Sequence, residues 1–315
     1  MIVLSERDVA EALPWRDLIE ALREGFNDPV TAPVRHVHEI ELEDDKKGVL
    51  LLMPAWRSGD TIGVKLVTLF AHNSAKGLPG IAGIYALFDG HDGRALATLE
   101  GGELTARRTA AASALAADYL AREDASTFLM VGTGRLSLNI PQAYRAVRPI
   151  REVLVWGRRR SEAAKRANQL VAMGFSARPV STIEQGLARA DIVSCATNAI
   201  EPLVPGVHVR PGTHVDLIGS YKPTMRESDD DVMRRAGLIV VDTNEGAFEE
   251  AGDILQPIES GVITKDDVAG ELADLCGGRH SGRDDDDQIT VFKSCGCALE
   301  DLVAARLALT NFENG

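Results

Sequence analysis

The sequence predicts an α/β protein that combines a doubly wound parallel sheet with a smaller region built on a mostly antiparallel sheet. The first hundred residues contain apolar runs separated by Gly, Pro, Ser or Asn, which is typical of strands in one sheet. From Ser126 onward, short β-rich runs alternate with helical patterns, which indicates a parallel sheet. A glycine turn opens that second region. Because 315 residues exceed one ordinary core, we expect two domains.

The first region is predicted to begin with helices and to continue as a sheet. Apolar residues recur at near-helical spacing within residues 1–26, Ser5 and Asp8 can cap, and a proline divides the pattern into two short helices. Alternating and apolar runs predict strands at 34–42, Val49–Met53, Ile62–Phe70, Ile81–Asp89 and Ala95–Glu100. Asp44–Gly48 is typical of a hairpin tip, and an Ala-rich helix is predicted from Glu103 to Ala121.

The second region is predicted to alternate strands with helices and to be followed by a terminal helix. The strands are expected at Thr127–Val131, Glu152–Trp156, Ile192–Cys195, His214–Ile218 and Leu238–Val241. The helices are expected near 136–147, 161–173, 182–189 and 227–235. Leucines and valines at helical spacing predict the terminal helix, Ala298–Leu309.

Composition excludes several classes of protein. Forty-five percent apolar and 26% charged residues are ordinary for a globular chain, and no stretch reaches the ~18 uncharged apolar residues of a membrane span. The N-terminus lacks the pattern of a signal peptide, and a net charge of −13 opposes nucleic-acid binding. Four cysteines without a secretion signal favour a reducing cytoplasm. Cys295 and Cys297 form a C-x-C that lacks a second close pair, which favours free thiols over a metal site, so no metal is expected.

The turn at Gly132–Gly134 predicts a dinucleotide-binding loop. Gly132 permits the tight turn, and Gly134 lets the backbone approach a pyrophosphate, which then meets the N-terminus of the next helix. Ser137 replaces the usual third small residue. The turn follows a strand and precedes a helix, as this function requires; the alternative is a glycine turn without a ligand.

The end of the second strand predicts which nicotinamide cofactor is bound. NAD sites usually place Asp or Glu there, whereas this chain continues with Gly157 and three arginines, Arg158–Arg160. Arg is suited to a 2′-phosphate, so NADP(H) is preferred, with NAD(H) as a possibility. The alternative is that these arginines only coat the first turn of the following helix.

Cations in the first region predict a site for a small anion. Arg107 and Arg108 lie in the first turns of a predicted helix, where the dipole disfavours them; Glu103 can pair with Arg107, and Arg108 has no such local partner. Lys65 lies inside an apolar strand, where it faces either solvent or a carboxylate. Arg35 begins another strand of the same sheet. Three cations beside a dinucleotide site suggest a substrate carboxylate.

Six motifs resemble those of the ornithine cyclodeaminase and mu-crystallin family, and their order and spacing also resemble that family over nearly the whole chain. They are Pro33-Val-Arg35, Leu52-Met-Pro-Ala55, Lys65-Leu-Val-Thr68, Leu104–Ala111, Gly132-Thr-Gly134, and Thr290–Ser294 with Glu300-Asp301. The resemblance implies a Rossmann doubly wound sheet, residues 120–292, inserted into an α+β substrate and dimerisation domain, residues 1–119 plus 293–315. It also implies a homodimer formed through that first domain.

The resemblance also implies that Arg35, Lys65 and Arg108 hold a substrate carboxylate. Ser220 stands where cyclodeaminases carry an Asp, and Gly157 and Leu51 stand where they carry acids. These departures favour the ketimine reductases, which transfer hydride to Δ1-pyrroline-2-carboxylate or Δ1-piperideine-2-carboxylate and give proline or pipecolate. Two alternatives remain: an NAD-dependent ornithine cyclodeaminase or amino-acid dehydrogenase, and a non-catalytic carrier of a small molecule.

The site residues expected from these arguments form three sets. The catalytic set is Lys65, Arg108 and Ser220. Ser220, a bound water and Lys65 are the candidates for the proton source, and a relay through water is favoured because a serine hydroxyl is a poor acid. The substrate set is Arg35, Met53, Lys65 and Arg108, with Tyr221 as a further residue near the pocket. The cofactor set is Gly132, Thr133, Gly134, Arg135, Leu136, Gly157, Arg158, Arg159, Ala196, Thr197 and Ser220. Replacing Arg108 by Ala is expected to raise KM without a change in thermal stability.

Overall fold

The computed structural model describes residues 1–43 and 47–315, and these form two compact units. The first unit is Met1–Thr109 with Cys297–Gly315, and the second is Ala110–Gly296. The division into a substrate and dimerisation domain and an inserted cofactor domain stays a prediction. Of the predicted hairpin tip Asp44–Gly48, residues 44–46 lie outside the described residues, and Lys47 already belongs to a strand.

The helices and strands are numbered in chain order. The α-helices are α1 (Glu6–Ala12), α2 (Trp15–Gly25), α3 (Gly101–Leu120), α4 (Leu136–Arg145), α5 (Arg160–Ala172), α6 (Ile183–Leu187), α7 (Asp230–Arg235), α8 (Asn244–Glu249), α9 (Gly252–Glu259), α10 (Leu272–Cys276) and α11 (Ala298–Asn314). The strands are β1 (Ile2–Leu4), β2 (Val30–Thr31), β3 (His36–Glu41), β4 (Lys47–Arg57), β5 (Thr61–Leu69), β6 (Ile81–Asp89), β7 (Ala95–Glu100), β8 (Thr127–Val131), β9 (Glu152–Trp156), β10 (Ser176–Pro179), β11 (Ile192–Cys195), β12 (His214–Leu217), β13 (Leu238–Val241), β14 (Val268–Glu271) and β15 (Thr290–Lys293).

The sheet of the first unit runs in the order β1-β7-β6-β5-β4-β2, with β3 also paired to β4. Its neighbours are antiparallel except β1, which lies parallel to β7. Helix α11 packs against β4, β5 and β6 and against α1 and α2, and α1 also packs against β7. The apolar side chains of α2, such as Leu18 and Leu22, are fully buried. Burial of this apolar face provides most of the stability of such helices.

The predicted helix at the N-terminus begins later than expected. Residues Ile2–Leu4 form β1, because three apolar residues can complete the edge of the sheet beside β7. Helix α1 then starts after Ser5, whose hydroxyl accepts from the backbone of Asp8 while the Asp8 carboxylate accepts from the backbone of Ser5. Both residues were expected to cap, and in the structure each caps the other reciprocally.

Helix α3 begins directly after Glu100. The Glu100 carboxylate accepts hydrogen bonds from the backbone N–H groups of Gly102 and Glu103 at 2.9 and 2.6 Å. A carboxylate there satisfies free N–H groups and complements the helix dipole. Arg107 pairs with Glu103 at 2.9 Å, so the pairing predicted from their spacing is confirmed.

The sheet of the second unit is parallel and runs in the order β10-β9-β8-β11-β12-β15-β13-β14. Its inner strands are fully buried on both faces, as expected for a doubly wound sheet. Together with the mainly antiparallel sheet, this confirms the predicted fold class. The strands β10, β14 and β15 were not predicted. The strands β10 and β14 are only partly buried and lie at the two edges of the sheet, and β15 enters between β12 and β13 from far along the chain.

Candidate functional site

A cleft of about 980 Å³ lies in the second unit where β8, β9 and β11 end. Carboxyl ends of parallel strands form the usual nucleotide site of such sheets. The predicted cofactor residues Gly132, Thr133, Gly134, Gly157, Arg158, Arg159, Ala196 and Thr197 line it. The sequence did not indicate the remaining lining residues, Trp156, Asn198, Ala199, Ile200, Glu201 and Leu203. Most of these lie in an irregular segment after β11, where no periodicity marks them.

The turn after β8 is built for close approach of a ligand to the backbone. Gly132 has a φ of 126°, and a Cβ at this residue would lie 2.6 Å from the carbonyl oxygen of Ala196. Only glycine adopts this conformation in this space without strain. Gly134 is exposed with open space around it, and Ser137 donates its hydroxyl to the Gly134 carbonyl at 2.7 Å. The turn is therefore fixed from within, and its outer side stays accessible.

The end of β9 presents cations to the cleft. Arg158 and Arg159 line it and both are exposed, while Arg160 is the first residue of α5. Within the described ranges 1–43 and 47–315, no carboxylate forms a salt bridge with either lining arginine. A Cβ at Gly157 would lie 2.5 Å from Cγ2 of Thr133, so this position accepts a side chain only if Thr133 moves. The strand end thus offers positive charge and no acid.

Three predicted cofactor residues lie outside the lining of the cleft. Arg135 occupies the N-cap position of α4 and Leu136 is the first residue of that helix. Ser220 is fully buried; its hydroxyl donates to the carbonyl oxygen of Met225 at 2.8 Å and accepts from the backbone of Asp253 at 3.3 Å. These bonds give Ser220 a structural part near the start of α9. Because both hydrogen bonds of the Ser220 hydroxyl are made within the fold, its predicted role as a proton source has no support from the structure.

In the first unit, Lys65 and Arg108 meet two acidic residues of α11. Lys65 Nζ lies 2.6 Å from Asp301 Oδ2, Arg108 Nε donates to Asp301 Oδ1 at 2.8 Å, and Arg108 Nη1 donates to Glu300 Oε2 at 2.7 Å. Lys65 is only 3% exposed, so its ammonium group faces a carboxylate and not solvent, which decides between the two alternatives that the sequence left open. Arg108 likewise has partners that local sequence could not reveal.

The pKa values of this group follow from burial and mutual charge. Burial, together with the charge of Arg108, lowers the pKa of Lys65 to about 8, although Asp301 opposes the shift. Burial alone would lower the pKa of Arg108, but the carboxylates of Asp301 and Glu300 outweigh it and raise that pKa. Burial would raise the pKa of Asp301, and the two cations keep it below its usual value. The group therefore holds a lysine that releases its proton at a lower pH than an ordinary lysine.

The neighbours of Lys65 on the sheet share its buried face. Met53 and Tyr85 lie directly opposite Lys65 on β4 and β6, and residues paired across strands point to the same side. Both are buried, and the Tyr85 hydroxyl has no hydrogen-bond partner among the residues described. Arg35 lies half-buried in the segment just before β3. The structure brings Lys65, Arg108 and Met53 into one neighbourhood with Asp301, and convergence of Arg35 with them stays a prediction.

Other candidate chemistries have less support. Across residues 1–43 and 47–315, no three His, Cys, Asp or Glu side chains are arranged to hold a metal ion. The four cysteines are free thiols. No helix within the same ranges is long and apolar enough to cross a membrane. Tyr221 is half-buried beside Ser220 and is not among the residues that line the cleft.

Comparisons with known proteins relate the chain to enzymes that act on small imino and amino acids. The model described as "Ornithine cyclodeaminase/mu-crystallin family" matches residues 1–315. A Δ1-pyrroline-2-carboxylate reductase from Paracoccus denitrificans is 41% identical over 303 residues, covering 96% of this chain and 94% of that protein.

Two solved structures share the architecture along the whole chain. The Δ1-pyrroline-2-carboxylate reductase of Thermococcus litoralis, in complex with NADH and L-proline, superposes with a TM-score of 0.93 at 33% identity, covering 100% of this chain and 98% of that one. An archaeal alanine dehydrogenase dimer with bound NAD has a TM-score of 0.90 at 30% identity and covers 100% and 96% of the two chains.

Proposed function

The chain belongs to the ornithine cyclodeaminase/mu-crystallin family, and we propose that it catalyses the NAD(P)H-dependent reduction of a cyclic ketimine. The substrate is Δ1-pyrroline-2-carboxylate or Δ1-piperideine-2-carboxylate, and the product is L-proline or L-pipecolate. The observation that carries this proposal is the similarity, along the whole chain, to reductases of Δ1-pyrroline-2-carboxylate, one of them with NADH and L-proline bound. These matches confirm the resemblance to the ketimine reductase branch.

The cleft of the second unit suits a nicotinamide dinucleotide, which supplies the hydride when bound. The accessible backbone at Gly134 and the N-terminus of α4 suit a pyrophosphate. Arg158 and Arg159 suit a 2′-phosphate, since guanidinium groups bind phosphate through two parallel hydrogen bonds. On this ground NADP(H) is the preferred cofactor, and NAD(H) fits the same cleft.

Lys65 and Arg108 are assigned to the substrate carboxylate, with Arg35 and Met53 beside them. Arg108 uses Nε and Nη1 for the acidic residues of α11, and its Nη2 atom has no partner among the described residues. A carboxylate that binds at Nη2 and at Lys65 would be fixed at two points. Such fixation of a small substrate relative to a reacting group contributes several kcal/mol to catalysis.

Reduction of a C=N bond adds a hydride to carbon and a proton to nitrogen, so a proton donor is required. Lys65 meets this requirement, because its pKa of about 8 leaves it protonated at neutral pH and allows it to release the proton easily. Asp301, 2.6 Å away, orients the ammonium group. Water then returns the proton. The buried hydroxyl of Ser220 is not needed in this scheme.

The proposal is tested by following cofactor absorbance at 340 nm with NADPH and NADH, each with both cyclic imines. We expect oxidation of NADPH with at least one imine. NADH formation from NAD+ and L-alanine tests the dehydrogenase alternative, which the similarity to an alanine dehydrogenase suggests. Release of ammonia from L-ornithine tests the cyclodeaminase alternative, because that reaction regenerates its NAD+ and leaves the absorbance at 340 nm unchanged. Tight cofactor binding without turnover of any of these substrates would contradict the proposal and favour a carrier.

The cofactor preference is tested with the double substitution Arg158→Ala and Arg159→Ala. Loss of charge-assisted bonds to a 2′-phosphate is expected to raise KM for NADPH by about 10- to 100-fold while KM for NADH changes little. Arg160→Ala is the matched control, since Arg160 adjoins these residues but does not line the cleft. Equal effects on both cofactors, or no effect on either, would contradict the assignment.

A homodimer is proposed from the apolar side chains that the first unit exposes. Val37 and Ile81 are 58% and 61% exposed and lie on the same face of the sheet by register. Exposed apolar patches of this kind mark interaction surfaces.

Light scattering after gel filtration is expected to give twice the chain mass for the protein and the chain mass for the variant Val37→Asp/Ile81→Asp. The control is Val171→Asp, an exposed apolar residue of the second unit, which is expected to leave the dimer intact. A monomeric parent protein would overturn the dimer proposal.

A further inference from the structure

A buried carboxyl group lies beneath one end of the cofactor cleft. Glu227 is fully buried in the segment before α7. Its Oε1 accepts from the backbone N–H of Thr197 at 2.7 Å and from the Thr197 hydroxyl at 2.8 Å, and its Oε2 accepts from the backbone N–H of Gly219 at 2.6 Å. A helix was predicted from residue 227, but α7 starts at Asp230 after its cap Asp229, which leaves Glu227 free to turn inward.

These contacts join the ends of two neighbouring strands. Thr197 follows β11 and Gly219 follows β12, which are adjacent in the parallel sheet. Where a strand ends, the backbone N–H groups that follow it are no longer paired with a neighbouring strand, and when buried they need another hydrogen-bond acceptor. One carboxyl group supplies it for both segments, so the position of Thr197, which lines the cleft, depends on Glu227.

A second carboxylate holds Glu227 in place. Asp253 Oδ1 accepts from the backbone of Glu227 at 2.9 Å and of Ser228 at 3.0 Å. Its Oδ2 lies 3.8 Å from Nζ of Lys293, which itself donates to the Leu217 carbonyl at 3.1 Å. An isolated buried charge is costly, and Lys293 supplies a cation close to the buried Asp253 carboxylate.

The strand order, taken together with the proposed function, indicates which part of a dinucleotide would lie nearest to Glu227. Along the carboxyl edge, the end of β9 with Arg158 comes first, then the end of β8 with Gly132–Gly134, then β11 and β12. On the proposed function, the adenosine ribose lies at β9 and the pyrophosphate at β8. The nicotinamide half is then directed to the ends of β11 and β12, where Thr197 and Gly219 are held.

We propose that Glu227 is a positioning residue for the nicotinamide half of the cofactor, acting through its hydrogen bonds to Thr197 and Gly219. This inference rests on the proposed function, since it presupposes a nicotinamide dinucleotide in the cleft. Glu227 makes no contact with the cofactor itself in this scheme. Glu227 fixes the backbone of Thr197 and Gly219, against which the nicotinamide half is ordered.

The test compares two ligands on the protein and on the variant Glu227→Gln by isothermal titration calorimetry. NADPH carries both halves, whereas 2′-phospho-ADP-ribose carries the adenosine half and the pyrophosphate without nicotinamide. In Glu227→Gln, the side-chain NH2 group faces the backbone N–H of Gly219. The hydrogen bond from Gly219 to a carboxylate oxygen is therefore lost. We expect the Kd for NADPH to rise about tenfold and the Kd for 2′-phospho-ADP-ribose to change less than about twofold.

Two conditions keep the result interpretable. Burial and the charge of Asp253 raise the pKa of Glu227 to about 7, so the titrations are done about one unit above that value, where the carboxylate predominates. The control Glu259→Gln makes the same change at an exposed residue of the same unit and is expected to leave both affinities unchanged.

Each outcome decides the inference. Selective weakening of NADPH supports it. Equal weakening of both ligands would reveal a general loss of structure, and unchanged binding of both would show that Glu227 does not position the cofactor; either overturns it. If the unsubstituted protein binds neither ligand, the proposed function fails and this inference fails with it.

Discussion

Replacing Lys65 by methionine is expected to lower kcat for the cyclic imine by about 10²- to 10⁴-fold, the contribution typical of a positioned proton donor. Methionine has a similar length and suits a position that is 3% exposed, so the sheet can retain its packing. Asp301 keeps Arg108 as a partner in this variant. Loss of the proton donor should therefore lower kcat, and loss of the Lys65 contact to the substrate carboxylate should also raise KM for the imine. Both are measured by steady-state assay at saturating cofactor.

The pH profile gives an independent check on the same residue. Lys65 donates only when it is protonated, so with a pKa of about 8 the rate should be full below that pH and fall above it. The variant Lys65→Met should lose this alkaline fall. Lys47→Met, at an exposed lysine paired with Glu39 on the same sheet, should keep both the rate and the profile. An unchanged rate in Lys65→Met, or an alkaline fall that persists in it, would assign proton donation elsewhere.

Replacing Arg108 by alanine is expected to destabilise the protein by about 3–5 kcal/mol and also to abolish most activity. The guanidinium bonds both Asp301 and Glu300, whose side chains are fully buried. Its removal breaks the ion pair with Glu300 and takes one of two cations from Asp301, which keeps Lys65, and breaking a buried ion pair by removing one partner is strongly destabilising. Urea unfolding measures the first effect, and kcat/KM measures the second. The structure thus changes the expectation from sequence, which was a higher KM at unchanged stability.

A second variant separates the two roles of Arg108, which are stabilisation of the fold and binding of the substrate carboxylate. In Arg108→Ala/Glu300→Gln, the charge left at Glu300 is removed, so part of the lost stability should return, whereas activity should stay low because the proposed carboxylate contact is still missing. Recovery of activity together with stability would show that Arg108 acts only through the fold. No loss of stability in Arg108→Ala would contradict the buried ion pairs described here.

Much of the second unit could be read from the sequence, because its signals are local. A strand, a turn with Gly132 and Gly134, and a helix follow one another directly, and the arginines after β9 lie next to one another in the chain. Six of the residues assigned to the cofactor from these signals line the cleft: Gly132, Thr133, Gly134, Gly157, Arg158 and Arg159. The irregular segment 198–203 has no periodicity or motif, so its place in the lining could not be predicted.

The acidic partners of the first unit show the opposite case. Glu300 and Asp301 were noted as a motif at the start of the last helix, yet nothing nearby in the sequence connects them to Arg108, which lies 192 and 193 residues away. Similarly, Glu227 was expected on a helix, and only the packing of that segment against β11 and β12 turns it inward.

The sequence by itself determined the two kinds of sheet, the glycine turn and the cationic strand end, because periodicity, glycine conformation and neighbouring charges act over a few residues. Tertiary structure alone decided which carboxylates neutralise Lys65 and Arg108, that Ser220 is used within the fold, and that Glu227 lies under the cleft. The physical reason is that burial and ion pairing depend on which distant segments pack together, and those distances also fix the pKa of Lys65.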